Sequence, residues 1–155
     1  MKIKLLIIEF DYHSEVLRDL CLMCDNSSFE ITFFTSEKIW KSTGIDPNNI
    51  EGQVRLKAKD HALKDFIRQN KPDIESSDII LFNTCASNFK CFSQVEFNAP
   101  TILRIHNYNS YFETIQNLKL NLKSWRYDLE HIFYRSLWRR DWYYRRKLLK
   151  RIDYF

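Results

Sequence analysis

Two glycines, Gly44 and Gly52, serve a chain of 155 residues. Loops that cradle phosphate need glycine directly after a strand, where the backbone must approach a pyrophosphate closely. Neither glycine stands in such a pattern, which excludes both the dinucleotide fingerprint and the P-loop. Long apolar runs are missing as well, and none approaches the ~20 residues that a membrane-spanning helix requires. The first residues do not place a basic stretch, an apolar stretch and a cleavage site in succession, as a secretory signal would. A cytoplasmic protein is therefore expected. Cysteine is limited to Cys21, Cys24, Cys85 and Cys91. The Cys21-Leu22-Met23-Cys24 spacing suits redox or zinc chemistry, but the pair falls near the carboxyl end of a predicted helix. A reactive thiol is favoured at the opposite end, where the helix dipole lowers its pKa, so buried reduced thiols are expected, with no metal and no cofactor.

What is present is globular in kind. Hydrophobic residues make up 45% and charged residues 28%, which is ordinary, while an aromatic share of 15% is high. A chain of this length is most economically one domain and can bury roughly 68–70% of its unfolded surface.

Residues 2–9 alternate and then become continuously apolar, the pattern of a central strand covered on both faces in a parallel sheet. After the polar turn Phe10-Asp11-Tyr12-His13, Ser14 opens a helix with Val16, Leu17, Leu20 and Cys24 on its inner face. Residues 29–35 supply a second strand and complete a β-α-β unit. Residues 36–52 show little periodicity and read as a short helix or turn and a loop. Leu56, Ala62, Leu63, Phe66 and Ile67 recur at helical spacing, with Asn70-Lys71-Pro72 as the stop. Residues 78–84 form a third strand with a polar end, residues 89–97 a helix, and residues 100–106 a fourth strand. Pro100 punctuates that last strand, which closes on His106, Asn107 and Tyr108. The alternation predicts an α/β fold, a Rossmann-like open parallel sheet flanked by helices. In such sheets ligands bind beyond the carboxyl ends of the strands.

From residue 121 the chain changes character. Residues 121–151 hold ten Lys or Arg against three Asp or Glu, together with eight aromatic residues. An approximate stripe through Leu129, Ile132, Phe133, Leu137, Tyr144 and Leu148 predicts a basic aromatic helical segment. Trp138 and Trp142 stand one turn apart, with Arg139, Arg140, Arg145 and Arg146 close by, so rings and guanidinium groups can share one surface. Attachment to an anionic membrane face is the leading expectation for this segment. A helix pair packed on the sheet with solvated arginines comes second, and nucleic acid third, because no recognition motif accompanies the charge.

The order of features resembles the N-terminal half of a GT-B glycosyltransferase, in the group that builds polysaccharides and glycolipids. The resemblance rests on Lys4-Leu5-Leu6-Ile7-Ile8-Glu9-Phe10-Asp11-Tyr12-His13, on Asp78-Ile79-Ile80-Leu81-Phe82-Asn83-Thr84 and on Thr101-Ile102-Leu103-Arg104-Ile105-His106-Asn107. It implies that residues 1–155 form one Rossmann-like, acceptor-side domain, and that the donor-binding half lies elsewhere, on the same polypeptide or a separate subunit. It implies a transferase that moves a sugar from a nucleotide sugar to a glycan or lipid-linked acceptor, inactive without its second half. Phe10, Asp11 and Tyr12 stand where such enzymes often carry glycines. In that group a strand ending in His commonly brings the imidazole to the interdomain cleft, which makes His106 the catalytic candidate. An imidazole titrating near neutrality can position or deprotonate an acceptor hydroxyl. Asp11, Tyr12, His13, Asn83, Thr84 and Asn107 are the substrate-binding candidates, although Asn83 and Thr84 equally suit helix capping. Glu9, Asp11 and the alternating elements also resemble a response-regulator receiver, but Asn83 or Thr84 stands where its phosphorylatable Asp belongs. A noncatalytic adaptor that binds a protein partner through its aromatic arm is the remaining alternative.

Overall fold

The computed structural model describes residues 2–11, 13–24, 28–85, 88–105 and 143–155. Strands β1 (Ile3–Glu9), β2 (Phe29–Ser36), β3 (Gly52–Lys57), β4 (Ile79–Thr84) and β5 (Thr101–Leu103) form one sheet in the order β3-β2-β1-β4-β5. Every pairing is parallel. The connections carry α1 (Ser14–Cys24), α2 (Glu37–Thr43), α3 (Leu63–Gln69), α4 (Lys71–Glu75) and α5 (Phe89–Phe92). This is the expected Rossmann-like α/β sheet with flanking helices. Its strand order reverses between β1 and β4, as in a Rossmann half. The flavodoxin-type order of a receiver, 2-1-3-4-5, differs from this sheet by the edge strand β3 beside β2.

β1 lies at the centre because Leu6, Ile7 and Ile8 are buried in succession, which only a strand covered on both faces allows. On one face Ile7, Ile31 and Phe33 pack against Leu17 and Cys21 of α1 and Ile39 and Trp40 of α2. On the other, Leu6, Ile8, Phe34, Ile80, Phe82 and Leu103 meet Phe66, Ile67, Ile74, Phe89 and Phe92. That second core absorbs much of the aromatic content. Phe34 stands edge-on to Phe66 at 5.3 Å, and Phe82 edge-on to Phe92 at 5.0 Å. Such pairs contribute about 0.5–1.5 kcal/mol each beyond the area they bury.

The sheet has a strand more than the sequence reading placed before residue 152. Residues 52–57 form β3, where a loop running into a helix is expected, and Leu56 belongs to this strand. As an edge strand β3 is only half-buried, and its period-two pattern of Val54 and Leu56 between Gln53, Arg55 and Lys57 is easily absorbed into the neighbouring helical spacing. The helix accordingly starts at Leu63. It stops at Asn70 as expected, but α4 follows at once, with Pro72 in a first turn where a missing N–H is harmless. α5 spans four residues in place of the expected nine.

Both glycines have structural tasks away from the carboxyl ends of the strands. Gly44 ends α2 at φ 74°, a left-handed conformation that favours glycine, while the Ser36 hydroxyl caps the same helix by accepting from Ile39 N at 3.3 Å. A Cβ on Gly52 would lie 2.8 Å from the carbonyl oxygen of Ile31 on the neighbouring strand.

At the carboxyl end, residues 143–149 are helical, with Leu148 fully buried in the phenylalanine-rich core. The chain then runs alongside β5. Tyr154 forms a parallel bridge with Ile102, Leu103 N donates to Tyr154 O at 3.0 Å and Asp153 N donates to Thr101 O at 2.9 Å. Residues 152–154 thus take the position of a sixth strand beyond β5. Among the described residues, no helix is long and apolar enough to cross a membrane.

Candidate functional site

The strand order reverses between β1 and β4, and the carboxyl ends of the strands at such a reversal are the usual ligand position in an open α/β sheet. Glu9 ends β1 at this point. Alternation along the strands puts Glu9, Asn83 and Arg104 on the same face as Ile7, Leu81 and Ile102, and a register shift between Ile8 and Glu9 lets Glu9 pair with Thr84. On its other side Glu9 pairs with Thr35 of β2.

Glu9 has no exposed surface, and a buried carboxylate is costly unless hydrogen-bonded. Its Oε1 accepts from Asp11 N at 2.7 Å, and its Oε2 accepts from Asn83 Nδ2 at 2.5 Å. With the amide held this way round, Asn83 Oδ1 accepts from Arg104 Nη1 at 3.1 Å. The three side chains form a chain across β1, β4 and the end of β5. Burial pushes the Glu9 carboxyl above its ordinary value, and the charge of Asp11 adds to this. The hydrogen bonds from Asp11 N and Asn83 oppose it. The Thr84 hydroxyl also favours the charged form, although it does not complete hydrogen-bond geometry. The Thr35 hydroxyl is fully buried without a hydrogen-bond partner.

Of the expected substrate-binding residues, Asp11, Asn83 and Thr84 are brought together here. Asp11 is 8% exposed, and its backbone N–H is the one that serves Glu9. His13 stands half-buried just before α1, where its carbonyl accepts from Leu17 N at 3.1 Å. Tyr12, His106 and Asn107 lie outside the described residues, as do Trp138, Arg139, Arg140 and Trp142. Glu9 and Arg104 were not among the sequence candidates. A carboxylate closing a buried apolar strand is the signal that points to Glu9. Arg104 reads in sequence as an ordinary solvated strand end.

Two arginines of the expected membrane surface fall within the described residues, and they differ. Arg146 is exposed. Arg145 is 3% exposed, with its guanidinium 5.2 Å from the centre of the Phe89 ring, so it is withdrawn from any headgroup. The helix spacing explains this correction: Arg145 shares the inward side with Leu148, and a weakly hydrated guanidinium can stack on an aromatic face.

Cys21 and Cys85 are buried and Cys91 is half-buried, all three as thiols. Burial, with the charges of Asp11 and Glu9, holds the Cys85 thiol well above its ordinary pKa, which makes it a poor nucleophile. Among the described residues no three His, Cys, Asp or Glu side chains are grouped to hold a metal. A polar hollow of about 220 Å³ opens near the amino ends of β1, β2 and β3, lined by Lys4, Glu30, Thr32 and Gln53 and by the Arg55–Asp73 ion pair at 2.8 Å. It is at the wrong end of the strands for a switch-point ligand.

Comparisons of the chain with protein-family models, with curated proteins and with solved structures returned no match.

Proposed function

We propose that this chain is the acceptor-binding half of a two-part glycosyltransferase, holding a hydroxyl-rich glycan or lipid-linked acceptor at the carboxyl edge of its sheet. One observation carries the reading. The carboxyl edge of β1, β4 and β5 gathers Glu9, Asn83, Thr84 and Arg104, with Glu9 and Asn83 buried beneath and Arg104 exposed, its guanidinium bonded to Asn83 and presenting N–H donors that suit hydroxyl and carboxyl groups. No glycine-lined phosphate loop stands there. A polar edge held by such a network suits a sugar ring, whose hydroxyls both donate and accept. The nucleotide part of a donor would then be held by a second domain or subunit closing over the same edge. His106, two residues past Arg104, is the candidate acid or base under this reading. In the complete enzyme His106→Ala is expected to lower turnover by roughly 10²-fold or more.

Calorimetry and NMR titration test the division of labour. A panel of nucleotide sugars is expected to bind the isolated chain no more tightly than millimolar. A panel of oligosaccharides is expected to shift the amide signals of Asn83 and Arg104. Micromolar binding of any nucleotide sugar would overturn the acceptor-side assignment, and silence toward every saccharide at high millimolar concentration would overturn the glycan reading itself.

A further inference from the structure

From the geometry of the Glu9–Asn83–Arg104 chain we infer that Arg104 is a fixed guanidinium fork for a ligand carboxylate, so that the ligand held here bears one negative charge. Within the glycosyltransferase reading, this makes the acceptor a uronic-acid type of sugar.

The argument starts from the amide of Asn83. An Asn side chain can present either its oxygen or its NH2 on a given side, and its partners decide which. Asn83 Nδ2 donates to Glu9 Oε2, which leaves Oδ1 facing Arg104. Glu9 is itself held by Asp11 N. An exposed arginine is ordinarily free to sample many rotamers, and fixing it costs side-chain entropy. Here one Nη1–H is tied to a buried network, which lowers that cost and leaves the remaining N–H groups for a ligand. Arg104 is exposed at the end of β5, and among the described residues no carboxylate forms an ion pair with it. A planar guanidinium with an accessible edge matches the two oxygens of a carboxylate or a phosphate. The neighbouring charges separate these two classes. Glu9 lies one hydrogen-bonded amide away from Arg104, and a carboxylate there opposes a dianion more than a monoanion. Glucuronate therefore fits better than inorganic phosphate.

Titration of the chain by NMR, following the Arg104 and Asn83 amides and the Arg104 Nε–H, decides the matter with glucuronate, glucose, acetate and inorganic phosphate as probes. Glucuronate is expected to bind at least about tenfold more tightly than glucose, and Arg104→Gln to remove that advantage. Arg104→Lys keeps the charge but loses the fork, and is expected to restore less than half of the difference in binding free energy. Glu9→Gln supplies the positioning test. The introduced amide keeps its oxygen for Asp11 N and turns its NH2 toward Asn83, which must then flip and face Arg104 with a donor. The Arg104 Nε–H signal is expected to broaden toward the mobile state while the rest of the spectrum stays folded.

Equal binding of glucuronate and glucose, full rescue by Arg104→Lys, or phosphate binding as tight as glucuronate would overturn the inference. An unchanged Arg104 signal in Glu9→Gln would also overturn it. If acetate binds as well as glucuronate in an Arg104-dependent way, the carboxylate fork stands and the glycan reading fails.

Discussion

Replacing Leu148 by Ala asks whether the end of the basic aromatic segment belongs to the folded core or to a surface arm. Leu148 is fully buried among side chains of the phenylalanine-rich core, three positions after an arginine stacked on Phe89. Removing three carbons from such a site loses their transfer free energy and leaves a cavity that neighbouring rings fill only in part. Buried Leu→Ala changes cost about 2–5 kcal/mol. For a chain of this length each kcal/mol lowers the melting temperature by roughly 2–4 °C, so a cost of about 3 kcal/mol corresponds to a drop of roughly 6–12 °C. Tyr143→Ala is the control. Its ring is 62% exposed, and its loss is expected to change stability by no more than about 0.5 kcal/mol. Urea unfolding followed by circular dichroism gives both values, with calorimetry checking that one cooperative transition is present. A cost below about 1 kcal/mol for Leu148→Ala, or a separate early transition in the native protein, would refute the claim that residues 143–149 fold with the sheet.

Two further outcomes follow from the strand ends and the glycines. The folded protein holds a proton on Glu9 more tightly than the unfolded chain does, because burial raises the carboxyl above its ordinary value of 4.5. The Glu9 contribution is therefore fully favourable below that value and is lost as pH rises through the folded pKa. In urea midpoints taken across this range, the native protein is expected to lose stability relative to Glu9→Gln as pH increases, and a flat or opposite difference would contradict the stated cause. Gly52→Ala places a Cβ 2.8 Å from the Ile31 carbonyl oxygen, a backbone atom that cannot swing aside, and is expected to cost about 1–3 kcal/mol. Gly44→Ala enters open space and suffers only its positive φ, about 1 kcal/mol, so denaturation should rank Gly52→Ala as the worse; the reverse ranking would argue against the β2–β3 contact.

The parts of the fold legible in the sequence are those where one signal dominates. β1, β2 and β4 are apolar runs bounded by polar turns, and each is found within a residue or so of its expected place. β3 escapes because an edge strand buries little, so its two apolar residues merge with the spacing of the helix that follows. The candidate site is legible only in outline. That β1 and β4 finish side by side follows from their being central strands of a parallel sheet, and this brings Asp11, Asn83 and Thr84 to one place. Which of their polar atoms meet depends on the one-residue register shift at Ile8 and Glu9, and no sequence pattern announces it. Arg104 is a partner because the β4–β5 register carries it onto the face of Asn83. Arg145 shows the converse limit: a charge run reads as a solvated face, yet helical periodicity turns one of its members inward onto a ring.

The strand-like ending has a consequence for the order of assembly. Thr101 N donates to Asp153 Oδ2 at 2.8 Å, a contact between residues 52 positions apart. Loop closure of that span is entropically disfavoured and contributes nothing until the far end arrives. During synthesis β5 must therefore wait with one edge uncovered until residues 152–154 have been made, even after β1 to β4 are available to pair. An uncovered strand edge is a template for another chain. Any event that halts synthesis between residues 103 and 152 would leave this edge exposed, so incomplete chains of this protein should be markedly more prone to aggregate than completed chains that are merely destabilised.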